Sequence, residues 1–177
     1  MDNKPYGDGL AFYLAPVNSS VPDESTGQNL GLVNGNYFNI TSKNQFVAVE
    51  FDTLKNDFDP SSDHVGIDVN SIVSVKTVNW KSSIKNGSTA NAWISYDSVR
   101  KNLSVFLTYA DNPVFSGNSS LSYIIDLSTF LPEKVQIGFS ASTGISTEIH
   151  DISSWEFNST LKYIPWLGNG KGKSKGG

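Results

Sequence analysis

The sequence predicts an all-β protein built as a sandwich of antiparallel sheets, and three observations carry that prediction. Short apolar stretches rich in β-branched and aromatic residues recur along the 177 residues, divided by Gly, Pro, Asn and Asp. Helical patterning is confined to residues 127–131, a single turn ahead of Pro132. The length suits one sizeable core and is short for two ordinary domains.

Taken in order, the expected strands are 9–14, 46–53, 64–69, 71–80, 90–97, 102–109, 121–126, 135–143 and 155–157. The breaks between them are turn-formers: the polar stretch 56–63, Asn86-Gly87, Asp111-Asn112-Pro113 and Gly117-Asn118-Ser119. No solenoid-type repeat is visible. Trp80, Trp93 and Trp155 are expected to fill the sandwich core, where large aromatic side chains bury most area. Residues 166–177 turn to Gly, Lys, Asn and Ser and read as a flexible basic tail after a domain spanning 1–165. Gly172-Lys173-Ser174 within it is not a phosphate loop, because Leu167 stands where the first glycine is required.

Composition removes several function classes. There is no cysteine, hence no disulfide framework and no thiolate metal site. A formal net charge of −4 argues against nucleic acid as a partner, since phosphate recognition needs a concentrated basic face. No stretch approaches the roughly 18 apolar residues of a membrane span. Asn18, Asn39, Asn86, Asn102, Asn118 and Asn158 each begin an Asn-X-Ser/Thr triplet, so the expected location is secreted, extracellular or cell-surface. The first residues carry no signal-peptide core, and the expectation is a chain that begins late.

The chemistry concentrates between Glu50 and His64. Alternate side chains of a strand share a face, so Glu50 and Asp52 point the same way and Asn56 follows as the strand enters a loop. Two carboxylates side by side need a cation or a proton between them. Asp59 and His64, returning from the loop, can complete a cluster. Carboxylates and carbonyls suit calcium, and an imidazole shifts a neighbouring position toward manganese or another transition ion. The alternative is a polar β-turn with solvated acids.

The string Glu50-Phe51-Asp52-Thr53 with Asn56 and Asp59-Pro60, followed by His64-Val65-Gly66-Ile67-Asp68-Val69-Asn70-Ser71-Ile72, resembles the metal-site signature of legume lectins and plant lectin receptor kinases. Gly7-Asp8-Gly9-Leu10-Ala11-Phe12 is similar to another family segment. So are residues 137–144 and the stretch from His150 to Trp155, and all lie in the family order. The resemblance implies a concanavalin-like jelly-roll sandwich that lacks the family's first strands. It implies a non-catalytic, metal-dependent carbohydrate-binding domain whose partners are glycans or glycoproteins, with a homo-oligomer as a further partner.

By that resemblance the transition metal, Mn2+ in the family, takes Glu50, Asp52, Asp59 and His64, with Ser74 acting through water. Ca2+ takes Asp52, Asn56, Asp59 and the Leu54 carbonyl. Asp8, after a cis Gly7–Asp8 peptide, and Asn56 would bind adjacent sugar hydroxyls, with backbone N–H groups of Ile145 or Ser146 adding contacts. The chain departs from the family pattern at two site positions. Leu54 stands where an aromatic platform is usual, and Gln28 stands where a sugar-contacting glycine is expected.

Three further readings follow from the same residues. The related glucan hydrolases use a Glu-x-Asp-x-(x)-Glu pattern, but Leu54 and Lys55 leave it without its second carboxylate. A sugar-blind structural or defence relative is consistent with Gln28 and Leu54. A truncated receptor-kinase ectodomain is consistent with the Lys-rich tail.

Overall fold

The computed structural model describes residues 6–35, 45–81 and 86–160. Eight strands are formed among them: β1 Gly9–Pro16, β2 Val47–Asp52, β3 His64–Val69, β4 Lys76–Asn79, β5 Asn91–Asp97, β6 Asn102–Thr108, β7 Leu121–Ile124 and β8 Val135–Ser142. One short helix, α1 Leu127–Phe130, follows β7. Asp126 starts it by accepting the Ser128 amide at 3.1 Å, a cap that satisfies a helix N–H otherwise left without a partner. The mainly β, antiparallel architecture agrees with the sequence reading.

The strands make a five-stranded sheet in the order β4-β3-β2-β1-β8 and a three-stranded sheet in the order β5-β6-β7. Every pairing is antiparallel. Period-two alternation decides which side chains meet between the sheets. Val47 and Val49 of β2, Val65 and Ile67 of β3, and Leu103 and Val105 of β6 are all buried in one apolar core with Trp80. Full burial of such a side chain contributes roughly 1.5–3 kcal/mol, so this layer holds the sandwich closed.

The same alternation sends Ala48, Glu50 and Asp52 of β2 to the opposite face. That face is divided between a smaller apolar cluster, containing Ala11, Leu30, Val33, Ala48 and Ile72, and a group of acids. One sheet therefore carries a core on one side and a polar site on the other.

Three expectations need correction. The strand expected over 71–80 is confined to Lys76–Asn79. Ser71 Oγ accepts the Val73 amide at 3.0 Å, which makes a turn and delivers Ser74 to the acidic group. The strand expected over 155–157 is not formed, because no described strand pairs with it, and residues 151–160 are exposed. The assignment of the tryptophans to the core holds for Trp80 alone. Trp93 is half-buried and points away from the core, stacked on Phe115 beside Phe106, its cross-strand partner. Trp155 remains 55 % exposed, edge-on to Phe139 at 5.5 Å.

Of the six sequons, Asn18, Asn86, Asn118 and Asn158 are exposed and Asn102 is half-buried at the start of β6, while Asn39 lies outside the described residues. The basic tail also lies outside them. No helix among the described residues is long and apolar enough to cross a membrane.

Candidate metal centre and adjoining ligand site

Antiparallel register assembles the acidic group. Asp52 stands directly across from His64 and Glu50 across from Gly66. The absent side chain of Gly66 leaves the space that Glu50 and Ser74 occupy, since a Cβ there would collide with both. Ligand atoms of Glu50, Asp52 and His64 lie within 4.8 Å of one another. His64 Nε2 is 3.0 Å from Glu50 Oε1 and 3.9 Å from Asp59 Oδ1. Glu50, Asp52 and His64 are at most 3 % exposed, and Asp59 is 9 % exposed.

The loop after β2 is held by its own carboxylates. Asp52 Oδ1 accepts the Leu54 amide at 2.8 Å, and Asp59 Oδ2 accepts the Asn56 amide at 2.6 Å. Asn56 Oδ1 is buried with no hydrogen-bond partner. On the other side of the group, Ser74 Oγ lies within hydrogen-bond distance of both Glu50 Oε1, at 2.5 Å, and Asp68 Oδ1, at 2.6 Å.

Electrostatics favour a cation here. Burial, then Asp59 and Glu50, push the Asp52 carboxyl up to about 9. Burial raises Asp59 to about 6 against the stabilising Asn56 amide. Asp68, fully buried near Glu50, is held well above the ordinary carboxylate range. Burial alone would lower His64, but its hydrogen bond to Glu50 and the charges of Glu50 and Asp59 raise it instead. Acids gathered where they resist ionisation, plus a buried carbonyl oxygen without a donor, form a donor set that suits a divalent ion.

Asp8 lies at the edge of this group, after a cis Gly7–Asp8 peptide. Its amide donates to the Ser142 carbonyl at 3.1 Å, and its carbonyl accepts the Thr53 amide at 3.0 Å. Asp8 is thereby fixed between β2 and β8. Its carboxylate faces two glycines: a Cβ on Gly27 would stand 3.7 Å from Asp8 Oδ2, and one on Gly144 would stand 3.1 Å away. Asp8 Oδ2 is buried without a partner. Burial and then Glu148 raise the Asp8 carboxyl, opposed by the Gly144 amide and His150.

The structure thus gathers Glu50, Asp52, Asp59 and His64, and sets Asn56 beside them in the loop. It places Gly27 against the Asp8 carboxylate, with Gln28 next to it in a 3-10 turn and half-buried. Leu54 lies over Gly7. Ile145 is fully exposed, whereas Ser146 is buried and its carbonyl accepts the Gly144 amide at 3.1 Å. Sequence reasoning passed over Asp68, although alternation along His64, Gly66 and Asp68 would have found it. It also passed over Glu148, which reaches the site only through a distant part of the fold, and it gave the site position to Gln28 where the structure sets the preceding Gly27 against Asp8.

Comparisons with known proteins identify the family to which the chain belongs. The family described as the legume lectin domain matches residues 1–173. Lectin 7 of Medicago truncatula is 48 % identical over 163 residues, covering 88 % of this chain and 61 % of that protein. The anti-H(O) lectin of Lotus tetragonolobus is 50 % identical over 159 residues, covering 88 % and 62 %. Among solved structures, lectin I-B4 of Griffonia simplicifolia in its metal-free form superposes with a TM-score of 0.71 at 47 % identity, covering 83 % of this chain and 61 % of that one. The lectin of Bauhinia forficata in complex with GalNAc gives 0.68 at 39 % identity, covering 81 % and 62 %. The chain thus spans about 61 % of the length of such a relative. These matches and the concanavalin-like sheets place the chain in the legume lectin domain family.

Proposed function

We propose that the chain is a non-catalytic carbohydrate-binding module whose sugar site depends on calcium and on manganese or another transition ion. The observation that carries this reading is the Asp8 carboxylate, buried between Gly27 and Gly144 beside the acidic group and left with a partnerless oxygen. Asp8 and Asn56 would accept hydrogen bonds from adjacent sugar hydroxyls. Backbone N–H groups at Ile145 or Ser146 would add donors, Gln28 would border the pocket, and Leu54 would offer the apolar surface for a sugar C–H face.

Glu50, Asp52, Asp59 and His64 would hold the transition ion, with Ser74 nearby. Asp52, Asn56, Asp59 and the Leu54 carbonyl would hold calcium. The bound ions would supply positive charge that keeps the acids ionised and the loop in place. Partners are then glycans or glycoproteins. A secretory route, with glycans on the sequons and an extracellular or cell-surface destination, fits the exposure of Asn18, Asn86, Asn118 and Asn158. The Bauhinia forficata relative was solved with GalNAc, which makes galactose-type sugars sensible first probes beside mannose.

Glycoside hydrolysis is disfavoured by the surroundings of Glu50. It is 1 % exposed, and its Oε1 already meets His64 and Ser74. A nucleophile or general acid must reach the glycosidic bond. Binding to surfaces bearing mannose, galactose and N-acetylgalactosamine, measured before and after chelation, tests the proposal. Metal-dependent binding that disappears in Asp8→Asn is expected. Binding unchanged by chelation would overturn the metal dependence, and no binding to a broad glycan panel by the metal-loaded chain would favour a sugar-blind relative.

A further inference from the structure

Glu148 belongs neither to the acidic group nor to the residues assigned above to the sugar. It lies 95 positions after Thr53, yet both of its carboxylate oxygens are 2.8 Å from Thr53 Oγ1. Its side chain is 10 % exposed, and Oε1 also meets His150 Nε2 at 2.8 Å. Thr53, 3 % exposed at the end of β2, carries the contact onward. Its amide donates to the Asp8 carbonyl at 3.0 Å, and its hydroxyl stands 3.1 Å from the same oxygen. A hydroxyl has a single proton, and the charged, closer acceptor takes it. The side chain of Thr53 is thus anchored on Glu148 while its main chain carries Asp8.

We propose that Glu148, oriented by His150, is a positioning residue for sugar binding: by fixing Thr53 it fixes the main chain from which the Asp8 carboxylate projects. The inference rests on the carbohydrate reading of Asp8. The placement is costly for mere stability, because the charge of Glu148 opposes ionisation of Asp8. An apolar side chain would close the same gap without that repulsion. What a carboxylate adds is a directional acceptor for Thr53, the strong kind of hydrogen bond.

The test compares the metal-loaded full chain with Glu148→Ala, Glu148→Gln and Thr53→Val. It measures binding to mannose, galactose and N-acetylgalactosamine surfaces, bound metal, and hydrogen exchange at the Thr53 amide. A hydrogen bond to a charged group that is lost from a buried site corresponds to about tenfold or more in affinity. Glu148→Ala and Thr53→Val should each show that loss while retaining their metals, with faster exchange at the amide of residue 53. Glu148→Gln keeps a carbonyl acceptor and should recover most of the binding. Glu148→Ala binding as tightly as the unmodified chain, or losing metal in step with sugar, would overturn the proposal, and so would a Gln variant as weak as Ala. If the unmodified chain binds none of the sugars, the carbohydrate reading fails by itself. Exchange then decides the clamp, supported by acceleration at Thr53 in Glu148→Ala and overturned by its absence.

Discussion

At Asp52 burial, Asp59 and Glu50 all act in one direction, and the carboxyl is pushed up to about 9. Asp59, Asp68 and His64 are also raised. A group with a raised folded-state pKa keeps a proton that the unfolded chain releases. For the carboxyls the resulting stability is fully present below their ordinary value of 3.8 and is lost as pH climbs toward the folded value. For His64 the loss begins above 6.5. In chelator the thermal midpoint should therefore fall as pH rises from about 4 to about 9. Asp97 and Asp126, both lowered, contribute with the opposite sign, but only at pH values below 3.8. Asp52→Asn should flatten the slope, because an amide has no proton to lose. A midpoint in chelator that is flat or rises across that range would count against the charge arrangement at Asp52. Metal should reverse the trend, since the ion competes with protons for the same oxygens.

Among the strands, β3 has the most exacting role, and Gly66 shows why. Its missing side chain faces Glu50 and Ser74, so Gly66→Ala would drive a methyl group into both. Overpacking of this kind costs about 1–3 kcal/mol, and here it also displaces Glu50, one of the proposed metal ligands. The expected result is a lower thermal midpoint together with weaker manganese binding by calorimetry. Manganese affinity equal to that of the unmodified chain would show that Glu50 is not a ligand. Much at this scale was legible beforehand. Alternation put Glu50 and Asp52 on one face, and β3 was placed at its observed ends. Pairing was less legible: apolar patterning does not reveal that Ser71 to Ser74 turns before β4 begins, or that Trp155 has no ladder partner among the described residues. Trp93 misled for a related reason, because a tryptophan in a strand does not say which face the core lies on. Glu148 reaches Thr53 across 95 positions, and only the closed fold brings them together.

Across the whole molecule the two sheets and the acidic group are coupled through β2. Val47 and Val49 enter the shared core, while Glu50 and Asp52 face the other way on the same backbone. Strain among the acids therefore acts on the strand that packs the sandwich, and neutralising them should stabilise more than a local loop. An ion that binds the folded chain alone at one hundred times its dissociation constant adds about 2.7 kcal/mol. For a domain of this size each kcal/mol shifts the midpoint by about 2–4 °C. Saturating one site should raise the midpoint by roughly 5–10 °C, and two independent sites by about twice that. If the loop ordered by Asn56 and Asp59 is the only part affected, exchange protection will change in residues 53–60 while the global midpoint stays fixed. If β2 transmits the effect, amides of β1 and β3 will gain protection together with the loop. Calorimetric scans with and without calcium and manganese, paired with hydrogen exchange, separate the two. Coupling through β2 predicts the second pattern, and protection confined to residues 53–60 would refute it.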